Sequence, residues 1–276
     1  MSARAEADTV SSSVRDGIAW VKFNRPEKRN CMSPKLNRQM LRVINELEFR
    51  DDVGVLVLTG EGEAWSAGMD LKEFFHDLKE NPKEYNRILR LATEWRSRTL
   101  RYFPKPTIAM VNGFCFGGAF SIVESCDLAF AADEAKFGLS EINFKGFPGG
   151  SVSKSLANLF RPRDALFYAM TGRSFGGAEA ERIGFINKAF PLTELERETM
   201  AIAAEIAGKD PTALQMTKDA YRHSLEMPLD SALNFIVAKE AEMTMMQGDA
   251  WRREGIGDFV AGDYKPGLGG HEKVRR

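Results

Sequence analysis

The chain has 276 residues, of which 43% are hydrophobic and 28% are charged. This composition is typical of a globular protein, and the length fits one principal core with an appendage. The 38 basic and 39 acidic side chains leave a net charge of −1. The chain thus lacks the large excess of positive charge that would indicate binding to a nucleic acid or a membrane surface. Because no run of about 18 apolar residues occurs, no membrane-spanning helix is predicted.

Residues 1–15 are polar and are interpreted as a loose tail without a signal peptide. The first predicted element is a strand at Ile18–Phe23, where apolar and other residues alternate. Pro26 follows the strand and cannot continue a ladder of hydrogen bonds. A helix comes next, with Ser33 as N-cap, Pro34 in the first turn, and apolar residues at helical spacing. Residues 53–59 form an aliphatic run that ends at Gly60, which is typical of a strand buried on both faces.

Two further strands, Thr107–Val111 and Leu128–Ala132, continue an alternation of strand, loop and helix, so a parallel sheet covered by helices is expected. From Leu192 onward the pattern is helical. We therefore predict an α/β core over residues 1–190 and a helical region over residues 191–276. A helix over residues 229–246 carries an apolar stripe, which we expect to pack against the core or a neighbouring subunit.

Three polar or glycine-rich segments follow predicted strands, where open α/β sheets bind their ligands. They span residues 63–71, 112–121 and 137–143. Near Gly118, small residues allow the backbone to approach a ligand, and the start of a helix directs unpaired N–H groups outward. Such a place suits an oxyanion. A Gly-Gly turn also serves tight helix packing, so the motif alone leaves both interpretations open.

Four segments resemble, in order, the signatures of the enoyl-CoA hydratase/isomerase, or crotonase, family. They are Arg25-Pro26-Glu27-Lys28-Arg29-Asn30, Ala67-Gly68-Met69-Asp70-Leu71, Asn112-Gly113 with Phe116-Gly117-Gly118, and Phe137-Gly138 with Ser140-Glu141. The resemblance covers residues 16–187. It implies an α/β fold with a crotonase-like spiral core of repeated ββα units, followed by a C-terminal helical extension that serves oligomerisation and covers the active site.

Within that family, residues 63–73, 139–143 and 265–268 are most similar to the hydroxycinnamoyl-CoA hydratase-lyases. These enzymes hydrate feruloyl-CoA or p-coumaroyl-CoA and cleave the product by a retro-aldol reaction to an aromatic aldehyde and acetyl-CoA. The resemblance thus implies a lyase acting on an acyl-CoA thioester. Coenzyme A is part of the substrate, and neither a separate cofactor nor a metal is implied. The family also implies a homotrimer or a hexamer made of two trimers.

The resemblance assigns the chemistry to a few positions. The backbone N–H groups of Met69 and Gly118 are expected to hold the thioester oxygen, and Glu141 is expected to act as acid and base. A carboxyl group beside apolar residues such as Phe144 is expected to have a raised pKa. Ordinary hydratases carry a second glutamate where this chain has Ser121. A single carboxylate therefore favours the hydratase-lyase.

The resemblance also implies positions for the two ends of the substrate. Cations suit the phosphates of coenzyme A, and the adenine is expected against neighbouring backbone; these CoA-binding candidates are Lys28, Arg29, Ala67 and Leu71. The candidates for binding the acyl group are Phe74, Ser140, Phe144 and Val237. In the subfamily, two tyrosines hold the para-hydroxyl of the substrate. By position they are Phe74 and Val237 here, and neither side chain can form a hydrogen bond.

Three other interpretations stay open. The first is a family member that hydrates or isomerises a non-aromatic acyl-CoA. The second is a non-catalytic RNA-binding relative, against which the near-neutral charge and the presence of Glu141 argue. The third is a dinucleotide-binding enzyme, but no glycine fingerprint follows the first strand. The cysteines Cys31, Cys115 and Cys126 have no metal-type spacing and are expected to be reduced and buried in a cytoplasmic protein.

Overall fold

The computed structural model describes residues 8–263, and its strands fall into two sheets. The strands are Val10–Arg15 (β1), Ile18–Phe23 (β2), Val55–Gly60 (β3), Ala64–Ser66 (β4), Thr107–Val111 (β5), Phe114–Phe116 (β6), Leu128–Ala132 (β7), Lys136–Gly138 (β8), Ser174–Gly176 (β9) and Lys188–Phe190 (β10).

Helices connect the strands and continue beyond the last of them in the described part of the chain. The α-helices are Pro34–Glu48 (α1), Pro82–Glu94 (α2), Phe120–Ser125 (α3), Val152–Leu159 (α4), Pro162–Thr171 (α5), Gly177–Arg182 (α6), Leu192–Ala207 (α7), Pro211–Ser224 (α8), Leu229–Gln247 (α9) and Gly257–Val260 (α10). Short 3-10 helices occur at Pro26–Lys28, Gly117–Ala119 and Glu141–Phe144, and π-helical turns at Leu71–His76, Trp95–Thr99 and Trp251–Ile256.

The larger sheet has the order β1-β2-β3-β5-β7-β10. Its pairs are parallel except for β1 with β2, which are antiparallel. The parallel sheet and the strands β2, β3, β5 and β7 confirm the sequence prediction. The interpretation of residues 1–15 as a tail is wrong for Val10–Arg15, because this polar segment pairs along the whole of β2 and forms an exposed edge strand.

The smaller sheet has the order β4-β6-β8-β9, and each of its strands has three residues. The sequence predicts loops in these places because strands of this length carry no readable periodicity. Each of β4, β6 and β8 follows a strand of the larger sheet and precedes a helical segment, and this is the repeated ββα unit of the spiral core. The three segments with candidate site residues therefore lie side by side on one small sheet.

Helix α1 illustrates why the sequence folds locally as predicted. The hydroxyl of Ser33 accepts a hydrogen bond from Leu36 N at 3.1 Å, and Pro34 occupies the first turn, where no backbone donor is needed. The apolar side of the helix is buried in the hydrophobic core and includes Leu36, Met40, Val43, Ile44 and Leu47. Burial of each large apolar side chain contributes about 1.5–3 kcal/mol to folding.

The chain divides into two compact units between Gly208 and Lys209. Helix α7 belongs to the first unit because it buries Leu195, Thr199 and Ala203 against strands of the larger sheet. The division therefore lies after α7, whereas the sequence interpretation places it before that helix, at residue 190. Helical periodicity identifies α7 but does not identify the surface on which it packs.

The second unit consists of α8, α9 and the short helical segments after them within the described part of the chain. Asp210 caps α8 by accepting a hydrogen bond from Ala213 N at 2.7 Å. Ala232 is the buried residue of α9, and the apolar side chains Leu233, Val237 and Met246 are exposed in the single chain. Among residues 8–263, no helix is long and apolar enough to cross a membrane.

Candidate active site

The loops that follow β4 and β6 meet at two glycines. Gly68 has φ +86°, and a Cβ atom placed on it would lie 2.6 Å from Phe116 O and 3.3 Å from Gly118 N. A side chain at this position would therefore collide with the backbone of the neighbouring loop. The absence of a side chain brings the peptide that carries Met69 N–H next to the N–H of Gly118, as the resemblance implies.

The N–H of Met69 is directed by a parallel bridge with Met32. Met32 N donates to Gly68 O at 2.7 Å, and Asp70 N donates to Met32 O at 3.2 Å. In a parallel bridge, the residues before and after Met69 form the hydrogen bonds to Met32, so the N–H of Met69 itself points away from Met32. Gly118 is the second residue of a helical segment, where backbone N–H groups have no intrahelical partner. Two neighbouring backbone donors are thus available for one oxyanion.

The carbonyl group of Gly118 is held from two sides. It accepts hydrogen bonds from Ser121 Oγ at 2.8 Å and from Arg96 Nη1 at 3.1 Å. A Cβ atom placed on Gly118 would lie 2.6 Å from Arg96 Nη1 and 3.3 Å from Met69 Cγ. The missing side chain of Gly118 therefore makes room for the guanidinium group and for Met69.

Glu141 begins the 3-10 helix after β8, and its carboxyl group packs against the adjacent loop. A Cβ atom placed on Gly117 would lie 2.9 Å from Glu141 Oε1. Oε2 is buried and has no hydrogen-bond partner among the described residues. Burial raises the pKa of Glu141 above its ordinary value, although a hydrogen bond from its own backbone N–H acts in the opposite direction. A desolvated carboxyl group next to the paired donors is suited to take and return a proton.

No second acid/base group stands at position 121. Ser121 is almost fully buried, and its hydroxyl donates to the carbonyl oxygen of Gly118 in the preceding 3-10 helix, so the residue fixes the backbone at Gly118. Glu124 is the nearest carboxylate along α3. Glu124 is buried, pairs with Arg101 and accepts from Asn158 Nδ2 at 2.9 Å, so it is held in an ion pair and a hydrogen bond.

The turn at residues 25–30 lies directly against the loop that carries Met69. Ala67 N donates to Arg29 O at 2.9 Å, and Ser66 Oγ donates to Asn30 O at 2.9 Å. Lys28 and Arg29 are exposed, and the Arg29 guanidinium lies 4.8 Å from the centroid of the Phe114 ring. Two cations are thus held beside the half-buried Ala67, and Leu71 is exposed further along the same segment. The four candidates for binding coenzyme A lie in one region.

A model of the enoyl-CoA hydratase/isomerase family matches residues 13–261. The chain belongs to that family. Hydroxycinnamoyl-CoA hydratase-lyase from Pseudomonas fluorescens is 44% identical over 267 residues, which are 96% of this chain and 97% of that protein. Among solved structures, enoyl-CoA hydratase from Bacillus anthracis superposes with a TM-score of 0.82 at 26% identity, over 92% of this chain and 96% of that one.

Human enoyl coenzyme A hydratase domain-containing protein 3 is also similar, with a TM-score of 0.81 at 27% identity, over 92% of this chain and 98% of that one. These likenesses confirm the crotonase-like fold that the four sequence signatures predict. As a member of the enoyl-CoA hydratase/isomerase family, the chain is an enzyme, and its class is that of the lyases.

In this family member, the residues predicted for the acyl group are not equally accessible. Phe74 is 0% exposed, so its ring serves packing rather than an open contact surface. It contacts Phe75 at 4.9 Å and Tyr85 at 5.0 Å between ring centroids, and these two rings are reached by solvent. Tyr85 is half-buried, and its phenol group is part of this aromatic cluster. Sequence patterns gave no sign of this phenol, because α2 brings it to Phe74 only through the tertiary fold.

The remaining candidates for the acyl group lie in two different parts of the chain. Ser140 is half-buried and immediately precedes Glu141. Phe144 is 66% exposed, so most of its ring faces solvent in the single chain, and its part in the desolvation of Glu141 stays a prediction. Phe137 and Leu139, which precede Glu141 in the same segment, are buried. Val237 lies on α9 of the second unit and is 64% exposed.

One buried polar cluster supports the site and was not anticipated from the sequence. Arg25 Nη1 donates to Asp70 Oδ2 at 3.0 Å, and Arg25 Nη2 donates to Glu73 Oε1 at 2.6 Å. The Cys31 thiol donates to Asp70 Oδ2 at 3.1 Å, so Cys31 is a half-buried donor and not a buried apolar residue. Burial and this contact raise the pKa of Cys31 to about 12. The cluster ties the turn at residues 25–30 to the segment after Met69.

Proposed function

We propose that this chain hydrates a hydroxycinnamoyl-CoA thioester, such as feruloyl-CoA or p-coumaroyl-CoA, and cleaves the product to an aromatic aldehyde and acetyl-CoA. One observation carries the proposal. The two neighbouring backbone donors of Met69 and Gly118 stand beside a single desolvated carboxyl group, Glu141, and position 121 holds a buried serine in place of a second carboxylate. The 44% identity to a hydroxycinnamoyl-CoA hydratase-lyase supports the same reaction.

In the first step, the Glu141 carboxylate accepts a proton from water while the water oxygen bonds to Cβ of the enoyl group. The electrons of the double bond move toward the thioester, and the negative charge on its oxygen is held by Met69 N–H and Gly118 N–H. Glu141 then returns the proton to Cα, which gives the 3-hydroxyacyl-CoA. One oxyanion-hole donor contributes about 2.7–4 kcal/mol to stabilisation of such a transition state.

In the second step, Glu141 takes the proton of the new β-hydroxyl group. The electron pair of the O–H bond forms the aldehyde C=O as the bond between Cα and Cβ breaks, and the released pair forms the enolate of acetyl-CoA. The same two N–H groups hold this enolate oxygen. Proton return from Glu141 to Cα completes acetyl-CoA and restores the carboxylate, so one carboxyl group accounts for both steps without a redox or metal cofactor.

Coenzyme A is assigned to the exposed face beside Ala67. Lys28 and Arg29 supply positive charge for its phosphates, and the backbone at Ala67 together with the exposed Leu71 receives the adenine. The hydrogen bond from Ala67 N to Arg29 O supports this assignment, because it fixes both cations next to the loop that holds the thioester.

The aryl ring is assigned to Phe75 and Tyr85, the two solvent-accessible rings that pack on the buried Phe74, with Ser140 and Phe144 as further candidates in the same unit. A planar aryl group packs well against aromatic side chains. Neither Phe74 nor Val237 can donate to a para-hydroxyl group, so the phenol of the substrate is recognised less strictly than by a pair of tyrosines. A homotrimer or hexamer and a cytoplasmic location complete the proposal, and static light scattering of the purified enzyme tests the first of these.

Incubation of the purified enzyme with feruloyl-CoA tests the proposed reaction. Aldehyde and acetyl-CoA are expected in equal amounts, detected by chromatography, with 3-hydroxyacyl-CoA as a transient. Crotonyl-CoA and cinnamoyl-CoA serve as comparison substrates. Rapid hydration of crotonyl-CoA without any aldehyde from feruloyl-CoA would place the enzyme among the simple hydratases instead.

A further inference from the structure

Arg96 is a buried cation whose charge has no carboxylate partner in the described part of the chain. Its side chain is 4% exposed. Nε donates to Ala92 O at 2.9 Å and Nη1 donates to Gly118 O at 3.1 Å, and no carboxylate among residues 8–263 lies within ion-pair distance of the guanidinium. Other buried arginines in the first unit are paired, Arg25 with Asp70 and Arg101 with Glu124.

Burial of an unpaired charge is costly, and a fold gains no stability from it. Desolvation lowers the pKa of Arg96 to about 10, so the group is still protonated at neutral pH. A residue that serves only packing would not need to be ionised. The position of the charge relative to the site indicates what it does.

The guanidinium lies directly against Gly118, one of the two residues that supply the backbone donors. Nη1 binds the carbonyl of Gly118 and occupies the space that a Gly118 side chain would fill. Met69 Cγ borders the same space. Arg96 itself lies in the π-helical turn Trp95–Thr99 that follows α2. Such turns interrupt regular α-helix at a cost and are frequent at functional sites.

We propose that Arg96 is a positioning residue that supplies a fixed positive charge to the oxyanion hole. It acts through Gly118: by holding the carbonyl of the peptide that follows Gly118, it restrains the backbone of the residue whose N–H group faces the substrate, and its charge lowers the energy of the anion that forms on the thioester oxygen. The inference rests on the proposed function in so far as an enolate thioester is the reacting species. It does not depend on the aryl group or on carbon–carbon cleavage.

The physical basis is that the charge is fixed before the reaction begins. The anion appears only in the transition state and in the enolate, so a nearby cation stabilises those species more than it stabilises the neutral thioester. In a buried site the interaction is screened much less than in water. Loss of the charge should therefore lower kcat and leave KM nearly unchanged.

Two substitutions separate charge from hydrogen bonding. Arg96→Gln keeps a donor for Gly118 O but removes the charge, and Arg96→Lys keeps the charge. We expect Arg96→Gln to lower kcat about 10- to 100-fold with KM within about threefold, and Arg96→Lys to retain most of the activity. Ser121→Ala removes the other donor to the same carbonyl without removing a charge, and a smaller loss is expected.

A spectroscopic measurement reports the electrostatics without turnover. Acetoacetyl-CoA has an acidic α-carbon, and its enolate is distinguished from the keto form by near-ultraviolet absorbance. At equal pH and saturation, the fraction bound as enolate to Arg96→Gln is expected to fall about tenfold below that of wild type, while Arg96→Lys stays close to wild type. A purely structural role would not produce this dependence on charge.

Thermal denaturation shows whether the variants are still folded. Because the charge is unpaired, Arg96→Gln is expected to melt at or above the wild-type temperature. An unchanged kcat and enolate fraction in Arg96→Gln would overturn the inference, as would equal losses in the lysine and glutamine variants. Failure of the wild type to release aldehyde from feruloyl-CoA, with an enolate fraction that still depends on Arg96, would refute the proposed reaction and leave this inference standing.

Discussion

Replacement of Glu141 by glutamine removes the acid/base group while its size and shape are kept. The carboxyl group packs against Gly117 with Oε2 buried and unpaired, so glutamine fits the same space but cannot accept a proton from water. General acid–base catalysis contributes about 100-fold or more, which corresponds to at least about 2.7 kcal/mol in the activation free energy. We expect kcat for feruloyl-CoA to fall by at least that factor while CoA binding is retained.

The same substitution has a predictable effect on stability. A carboxyl group whose pKa is raised on folding destabilises the folded state above that pKa and has no such effect below its ordinary pKa, which is 4.5 for Glu141. Glu141→Gln should therefore melt higher than wild type at pH 7, and the difference should disappear as the pH falls below that ordinary value. The acid limb of the wild-type kcat/KM profile should lie above the same ordinary value, because the base must be ionised.

Glu124→Gln provides the matched control, since it removes another buried carboxylate outside the reacting groups. Its partner Arg101 would remain buried without an opposite charge, and about 3–5 kcal/mol of stability should be lost. Activity per folded molecule should stay within about threefold of wild type. Glu141→Gln is thus expected to lose activity and to gain stability at pH 7, whereas Glu124→Gln is expected to lose stability and to keep its activity. Turnover of Glu141→Gln within about threefold of wild type would refute the assignment of the catalytic base.

Three further substitutions test the rest of the site. Gly118→Val should abolish turnover and cost about 1–3 kcal/mol, measured by steady-state kinetics and denaturant unfolding, because a Cβ atom there would lie 2.6 Å from Arg96 Nη1. Combined Lys28→Ala and Arg29→Ala should raise KM about tenfold with little change in kcat, and the effect should weaken as salt is added. Tyr85→Phe should lower kcat/KM for coumaroyl-CoA about tenfold more than for cinnamoyl-CoA, because only coumaroyl-CoA has a para-hydroxyl group with which the Tyr85 hydroxyl can form a hydrogen bond. Wild-type discrimination between these two substrates above about 10⁴ would contradict the expected loose recognition of the phenol.

Much of the fold can be read from local patterns. The strand Ile18–Phe23, the cap at Ser33 and the first helix follow from alternation, capping chemistry and helical spacing, because these features are decided by neighbours in the chain. The short strands of the smaller sheet could not be predicted in this way. Three residues are too few for periodicity, and their pairing partners are distant in sequence.

The sequence alone determined which groups carry the proposed chemistry, since Glu141, Met69 and Gly118 occur in ordered signatures that resemble one family. Only the tertiary structure decided what surrounds them. It placed Arg96 against Gly118 and Tyr85 against Phe74, and it left the ring of Phe144 largely exposed. The physical reason is that burial, desolvation and charge proximity depend on contacts between distant segments, and no local pattern in the chain encodes them.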